Sequence, residues 1–257
     1  MNKITLISMT LAISTSLLAS NYSLRKYQHV KSFYRDLTPV AIEVTQKHKL
    51  PTAAILAIAG LESGYGSGYV SQITGNILSL GAFKSDAQLP ALYIPYSKSL
   101  KRVLFDSEEI KKYSKTDLSY KKRPKSYKRD YRPAPYAATT SNLGILKHNK
   151  ELRFKAHEAC LNDFATRWIV LDSNIKSFRN SRAYLNEAVA KNGIDILNSM
   201  SLNIAFVNKI GGVKNSFNYR KTWPKKVVFI MKRVGLVQLI DDIKNKNMSF
   251  EEAWENK

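Results

Sequence analysis

Apolar residues recur every three or four positions along much of this chain, the spacing of helices that bury one face. Thr38 before Pro39 predicts an N-cap with proline at the first helical position, opening a helix toward Lys49. Pro51 restarts the chain, and Ile55, Leu56, Ile58, Ala59 and Leu61 predict a short, mostly buried helix that stops near Gly64, Gly66 and Gly68. Between about Ser71 and Arg153 the helical spacing is lost. Short apolar pieces at 77–83, 92–94 and 103–105 predict loops with small strands there. Helical spacing returns at His157, with Leu161, Phe164, Ala165, Trp168 and Leu171 on one stripe. It recurs over 181–191 and over 194–210, where Gly211-Gly212 ends it. Pro224 opens a further helix that turns Val227, Val228, Ile230, Met231 and Val234 inward and closes at Gly235. Ser249 and Glu252 predict a capping box over a short C-terminal turn. No internal repeat is evident. The expectation is an α+β, mostly α domain over 38–245 with a small irregular β region, a lead segment at 21–37 and a tail at 246–257.

The first twenty residues change the picture. Lys3 precedes an apolar stretch over 4–18 and then the small residues Ala19 and Ser20, the pattern of a secretory signal peptide. Ser8, Thr10, Ser14, Thr15 and Ser16 interrupt the stretch, so it is a poor permanent span. Cleavage is expected near Ser20, with an uncleaved anchor left open, and the protein is expected in the periplasm or cell envelope. No cysteine follows the stretch, so a lipoprotein anchor is not expected. The single cysteine, Cys160, reads as a buried small hydrophobe.

Charge narrows the partners. The chain holds 41 Lys and Arg against 20 Asp and Glu, a net charge of +21, and such a surface seeks polyanions. Export turns that preference toward anionic envelope polymers and membrane surfaces, and no nucleic acid is expected. Residues 111–132 concentrate the charge, interleaving ten Lys or Arg with Tyr113, Tyr120, Tyr127 and Tyr131. They read either as a solvated basic loop or as a clamp on an anionic polymer. Residues 95–150 form the basic insertion as a whole.

Chemistry points to Glu62. It lies three and four positions beyond Ala59 and Ile58, and so continues a buried stripe. A carboxyl group there is partly desolvated, which disfavours its charged form and suits a general acid. The run Ser63-Gly64-Tyr65-Gly66-Ser67-Gly68 lets backbone approach closely and leaves room for a polymeric substrate. An ion-paired or capping glutamate is the plainer alternative. His29, His48, His148 and His157 show no paired metal spacing, no phosphate-binding lysine loop is present, and no serine sits in a nucleophile elbow. Metal-independent acid catalysis without a cofactor is the expectation.

The run Ile58-Ala59-Gly60-Leu61-Glu62-Ser63-Gly64-Tyr65-Gly66-Ser67 resembles the alanine-leucine-glutamate-serine-glycine-tryptophan-glycine signature of bacterial N-acetylglucosaminidases of glycoside hydrolase family 73. Residues 75–84, Gly-Asn-Ile-Leu-Ser-Leu-Gly-Ala-Phe-Lys, are similar to that family's asparagine-leucine-phenylalanine-glycine-isoleucine-lysine stretch, and Arg153-Phe154 to its arginine-phenylalanine segment. The match continues through Lys176-Ser177-Phe178-Arg179. The resemblance implies a lysozyme-like fold with Glu62 at the floor of a groove for peptidoglycan glycan strands. It implies cleavage of the β-1,4 bond after N-acetylglucosamine. Ser63, Gly64, Tyr65, Gly66, Asn76, Phe83, Phe154 and Phe217 would then line the substrate. Relatives place a second carboxylate where this chain has its basic insertion, leaving Asp106, Glu108 and Glu109 as candidates. Tyr219 stands near the family's catalytic tyrosine, though a strict alignment sets Phe217 there. A lytic transglycosylase or muramidase of the same fold, a non-catalytic envelope-binding protein and a nucleic-acid-binding module are the competing readings. Oligomeric state is not legible.

Overall fold

The computed structural model describes residues 22–81, 83, 93–104, 107–122, 146 and 149–256. Helix α1 runs Gln28–His48, with Pro39 in its interior. The expected start at Thr38 is therefore too late, and the lead segment is largely the first half of this helix. Val30, Phe33, Tyr34, Leu37, Val40, Ala41 and Val44 form one buried stripe on both sides of the proline. Burying several such side chains, at about 2 kcal/mol each, outweighs the ~3 kcal/mol cost of an interior proline. Thr38 is consequently buried within the helix rather than capping it.

Helix α2, Thr52–Ser63, begins after Pro51 and ends at Gly64, which takes the left-handed conformation at φ 56. Every residue from Thr52 to Gly60 is buried. A helix apolar on all sides is stable only when enclosed. α1 encloses it on one side, and α7 (Met200–Ile210), α8 (Trp223–Val234) and α9 (Leu236–Asn245) on the others.

A short helix α3, Tyr69–Thr74, follows. Residues 77–80 are turn and loop rather than the expected strand. Ile77 and Leu78 are adjacent and both fully buried, whereas consecutive strand residues face opposite sides. The small β region is an antiparallel sheet ordered β2-β1-β3, with β1 Tyr93–Ser97 between β2 Arg102–Val103 and β3 Leu118–Lys122. Tyr96 pairs with Val103 on one side and with Ser119 on the other. The Asp117 carboxylate ties the sheet's end, accepting from Ser97 Oγ at 2.8 Å and from the Ser99 N–H at 2.9 Å. The first part of the basic stretch thus includes a paired strand, which contact with solvent alone does not require. Its residues 123–132 lie outside the described residues.

Helix α4, Ser107–Ile110, connects β2 toward β3. Helix α5, Lys150–Asp163, starts at its cap Asn149, before the expected His157, and passes into a π-helical turn at Phe164–Trp168. Leu171 lies beyond that turn and is 59% exposed, so it is not part of the buried stripe. Helix α6 covers Lys176–Asn192. The single helix expected over 194–210 is divided into a 3-10 turn, Ile194–Asn198, and α7. The cause is buried: Asn203 accepts from the Ala54 N–H at 2.8 Å and donates to the carbonyls of Leu197 and Ser199 at 2.9 and 2.8 Å. Those carbonyls are thereby satisfied without continuing one helix.

Helix α8 has proline in its first turn and closes at Gly235, as the sequence predicts. Helix α10, Phe250–Glu255, carries the predicted capping box of Ser249 and Glu252. It is no loose tail, since Trp254 is 2% exposed and Ala253 fully buried. The architecture is α+β and mostly α, with a helical core around α2. Among the described residues no helix is long and apolar enough to cross a membrane.

Candidate functional site around Glu62

Glu62 is the last residue but one of α2, and it is partly exposed where Thr52 to Gly60 are sealed. Packing of α2 on α8 brings it to Trp223, the first residue of α8. The Trp223 indole N–H donates to Glu62 Oε1 at 2.6 Å. Gly211 makes room for this indole: a Cβ there would meet the ring at 2.2 Å. The ring of Phe217 lies 5.2 Å from that of Trp223, and Phe164 closes on Phe217 edge-on at 5.7 Å.

The loop between α7 and α8 doubles back on itself. The Gly212 N–H donates to the Asn218 carbonyl, and the Phe217 N–H to the Ile210 carbonyl, both at 2.8 Å. Asn218 Oδ1 accepts from the Arg220 N–H at 3.1 Å. This fold-back sets the Asn218 amide and the Arg220 guanidinium near Glu62, with Ser79 on the opposite loop.

Burial raises the Glu62 pKa above the ordinary carboxylate value. The hydrogen bond from Trp223, the nearby Ser79 hydroxyl and Asn218 amide, and the charge of Arg220 favour the anion and oppose that rise without cancelling it. The C-terminal end of α2 acts in the same direction as burial, because its carbonyl ends disfavour a nearby negative charge. The result is a carboxyl group that holds its proton more firmly than a surface glutamate. The groups named around it are an indole, a hydroxyl, an amide and a guanidinium.

The remaining expected site residues are spread over several places. Tyr219 belongs to the Glu62 loop and is 70% exposed. Phe217 supports Trp223 from within the aromatic packing. Phe83 lies 5.1 Å from the Trp168 ring, with the Arg167 guanidinium 4.5 Å over its own ring. Asn76, in contrast, is buried and shapes its loop: its amide donates to the Leu80 carbonyl and accepts from the Leu80 N–H, each at 2.9 Å. Ser63 is likewise buried, donating to the Ala59 carbonyl at 2.6 Å and accepting from the Gly66 N–H at 2.9 Å. Both side chains thus spend these polar atoms on their own backbone segments.

Gly64, Tyr65 and Gly66 take positive φ in succession, at 56, 54 and 76. For Tyr65 that conformation is costly, and its ring offsets the cost by packing edge-on against His29, Phe33 and Tyr34 of α1. Tyr65 and Gly66 thus line a separate cavity of about 270 Å³ between α1 and α5, together with His29, Asp36, Arg153 and His157. Glu62 does not line it. Phe154 stands 41% exposed on α5, the helix that packs on α1.

Of the candidate second carboxylates, Glu109 is ion-paired with Arg102 beside the small sheet. Asp106 and the Glu108 side chain lie outside the described residues. Among the described residues there is no group of three His, Cys, Asp or Glu placed to hold a metal ion. Cys160 is fully buried, and burial pushes its thiol up to about 12.

The local sequence assigns none of Trp223, Ser79, Asn218 and Arg220 a place at the site. Trp223 is 3% exposed. The available signal was chemical: a buried indole N–H needs an acceptor, but nothing in the local sequence says that the acceptor is Glu62. Compared with family profiles, curated proteins and solved structures, the chain has no match in any of the three.

Proposed function

We propose that this protein is a glycoside-cleaving enzyme with a lysozyme-like α+β fold and Glu62 as its general acid. More particularly, it hydrolyses the β-1,4 bond after N-acetylglucosamine in peptidoglycan glycan strands, acting outside the cytoplasm after export on residues 1–20. The observation that carries this reading is the Glu62 carboxyl: raised in pKa by burial, held at one oxygen by Trp223, and still open to solvent on one side.

In this mechanism Glu62 gives its proton to the glycosidic oxygen as the bond to the anomeric carbon breaks. The Trp223 indole then stabilises the carboxylate that forms. Exposed Tyr219 is available to face the developing positive charge. The substrate's own acetamido oxygen serves as the nucleophile and attacks the anomeric carbon. Water then opens that intermediate and returns a proton to Glu62.

The same general acid supports one other reaction. In a lytic transglycosylase the sugar's own hydroxyl replaces water and leaves an anhydro end. Mass spectrometry of the soluble products from peptidoglycan sacculi separates the two. Reducing N-acetylglucosamine ends from the wild type, absent with Glu62→Gln, are the expected result. Anhydro-muramic ends would reassign the reaction, and undiminished turnover by Glu62→Gln would remove Glu62 from it. The amide keeps an oxygen for the Trp223 N–H but has no acidic proton. Because the folded pKa of Glu62 is raised, its ionisation weakens the fold as pH rises through and above the ordinary carboxylate range. Glu62→Gln is therefore expected to be at least as stable as wild type at neutral pH.

A further inference from the structure

Helix α8 has two unlike faces. Trp223, Val227, Ile230, Met231 and Val234 are buried against the core, whereas Lys225, Lys226, Phe229, Lys232 and Arg233 are exposed. Helical spacing sets Phe229 in the middle of this outer face: Lys225 and Lys226 lie one turn before it, and Lys232 and Arg233 one turn after. The helix contains no acidic residue. Among the described residues none of the four cations takes part in an ion pair. Phe229 is 53% exposed, with the Arg233 guanidinium 5.5 Å from its ring centre.

Four cations alone would suit any polyanion. An exposed phenyl ring at their centre gains free energy by leaving water, as the apolar face of a basic helix does when it enters a bilayer interface. The course of the chain agrees. The Leu24 N–H donates to the Arg233 carbonyl at 3.1 Å, and the Tyr22 ring fills the space over Gly235, where a Cβ would meet it at 2.4 Å. The first described residues, Tyr22 to Leu24, therefore lie against the C-terminal end of this same helix.

We propose that the outer face of α8 docks on an anionic phospholipid bilayer, Phe229 entering the headgroup layer while Lys225, Lys226, Lys232 and Arg233 meet lipid phosphates. Trp223 begins the same helix and holds Glu62, so docking sets the Glu62 site next to the membrane. The proposal stands independently of the reaction at Glu62.

The test uses the full chain carrying Phe229→Cys with an environment-sensitive fluorophore, Cys160 being buried and slow to react. Vesicles of phosphatidylglycerol with phosphatidylethanolamine are compared with vesicles of phosphatidylcholine alone. A blue shift on the anionic vesicles only is expected. Removing two charges with Lys225→Ala and Lys232→Ala should weaken flotation with those vesicles about 25-fold, at roughly fivefold per lysine. Phe229→Ala should weaken vesicle flotation without changing binding to soluble polyphosphate. Three outcomes would overturn the proposal: no binding to anionic vesicles, binding with no spectral change at position 229, or a Phe229→Ala protein that floats as well as wild type. The second would assign attachment to the N-terminal stretch or another surface, and the third would make the face a polymer site.

Discussion

At Glu62 burial and hydrogen bonding oppose each other, and burial prevails. Trp223 is the largest of the opposing groups, so its removal has a definite sign. Trp223→Phe keeps an aromatic ring in the packing but withdraws the N–H from the carboxylate. The Glu62 pKa is expected to rise further, moving the alkaline limb of the activity profile to higher pH. Stability at neutral pH should fall by about 2 kcal/mol, the order expected for a hydrogen bond to a charged group. A pH–rate series beside denaturant unfolding measures both, and an unmoved alkaline limb would mean that the limb does not report Glu62.

Between elements, the contact of α1 with α5 carries its own titration. His157 on α5 lines the cavity shared with α1, and burial beside the positive Arg153 lowers its pKa from 6.5 to about 4. Its folded pKa lies below its ordinary one, so the folded state resists protonation. The associated stability is complete above about pH 6.5 and is lost as pH falls toward about 4. The loss amounts to at most about 3 kcal/mol. His157→Phe, which cannot take up a proton, should flatten this part of the stability–pH curve in urea unfolding at a series of pH values. A curve as steep as the wild type would place the acid sensitivity in another group.

Across the whole molecule, Arg25 joins the two ends of the described chain. Its guanidinium donates to the carbonyls of Val234, Ala253 and Asn256 at 2.7, 2.9 and 2.9 Å, and also to those of Gly235 and Trp254. One planar group thus satisfies the carbonyl ends of α8 and α10 at once. Its burial lowers its pKa to about 10, still fully charged at neutral pH. Arg25→Ala strands those carbonyls and is expected to cost about 3 kcal/mol. Arg25→Lys should recover only part of this, because an ammonium cannot span the same set of acceptors. Thermal unfolding of the two variants checks the order, and equal stability of Lys and Arg at this position would leave charge alone as the cause.

Local pattern determined several features outright: α2 with its glycine stop, α8 between Pro224 and Gly235, the capping box at Ser249, the burial of Cys160, and the mostly α class. Each depends on residues within a few positions of one another, through helical spacing, a cap or a fixed backbone angle. The continuation of α1 through Pro39 was not legible, because the burial that outweighs the proline is supplied by α2 and its neighbours. The break before α7 depends on Asn203 reaching Ala54. Ser63 and Asn76 looked like groove residues in the sequence, and only the fold directs their polar atoms into their own loops. Glu62 could be singled out from its position on a buried stripe, but its partners could not. Trp223 comes from a residue 161 positions away, and only the packing of α2 against α8 decides that a buried indole N–H finds its acceptor in that carboxylate.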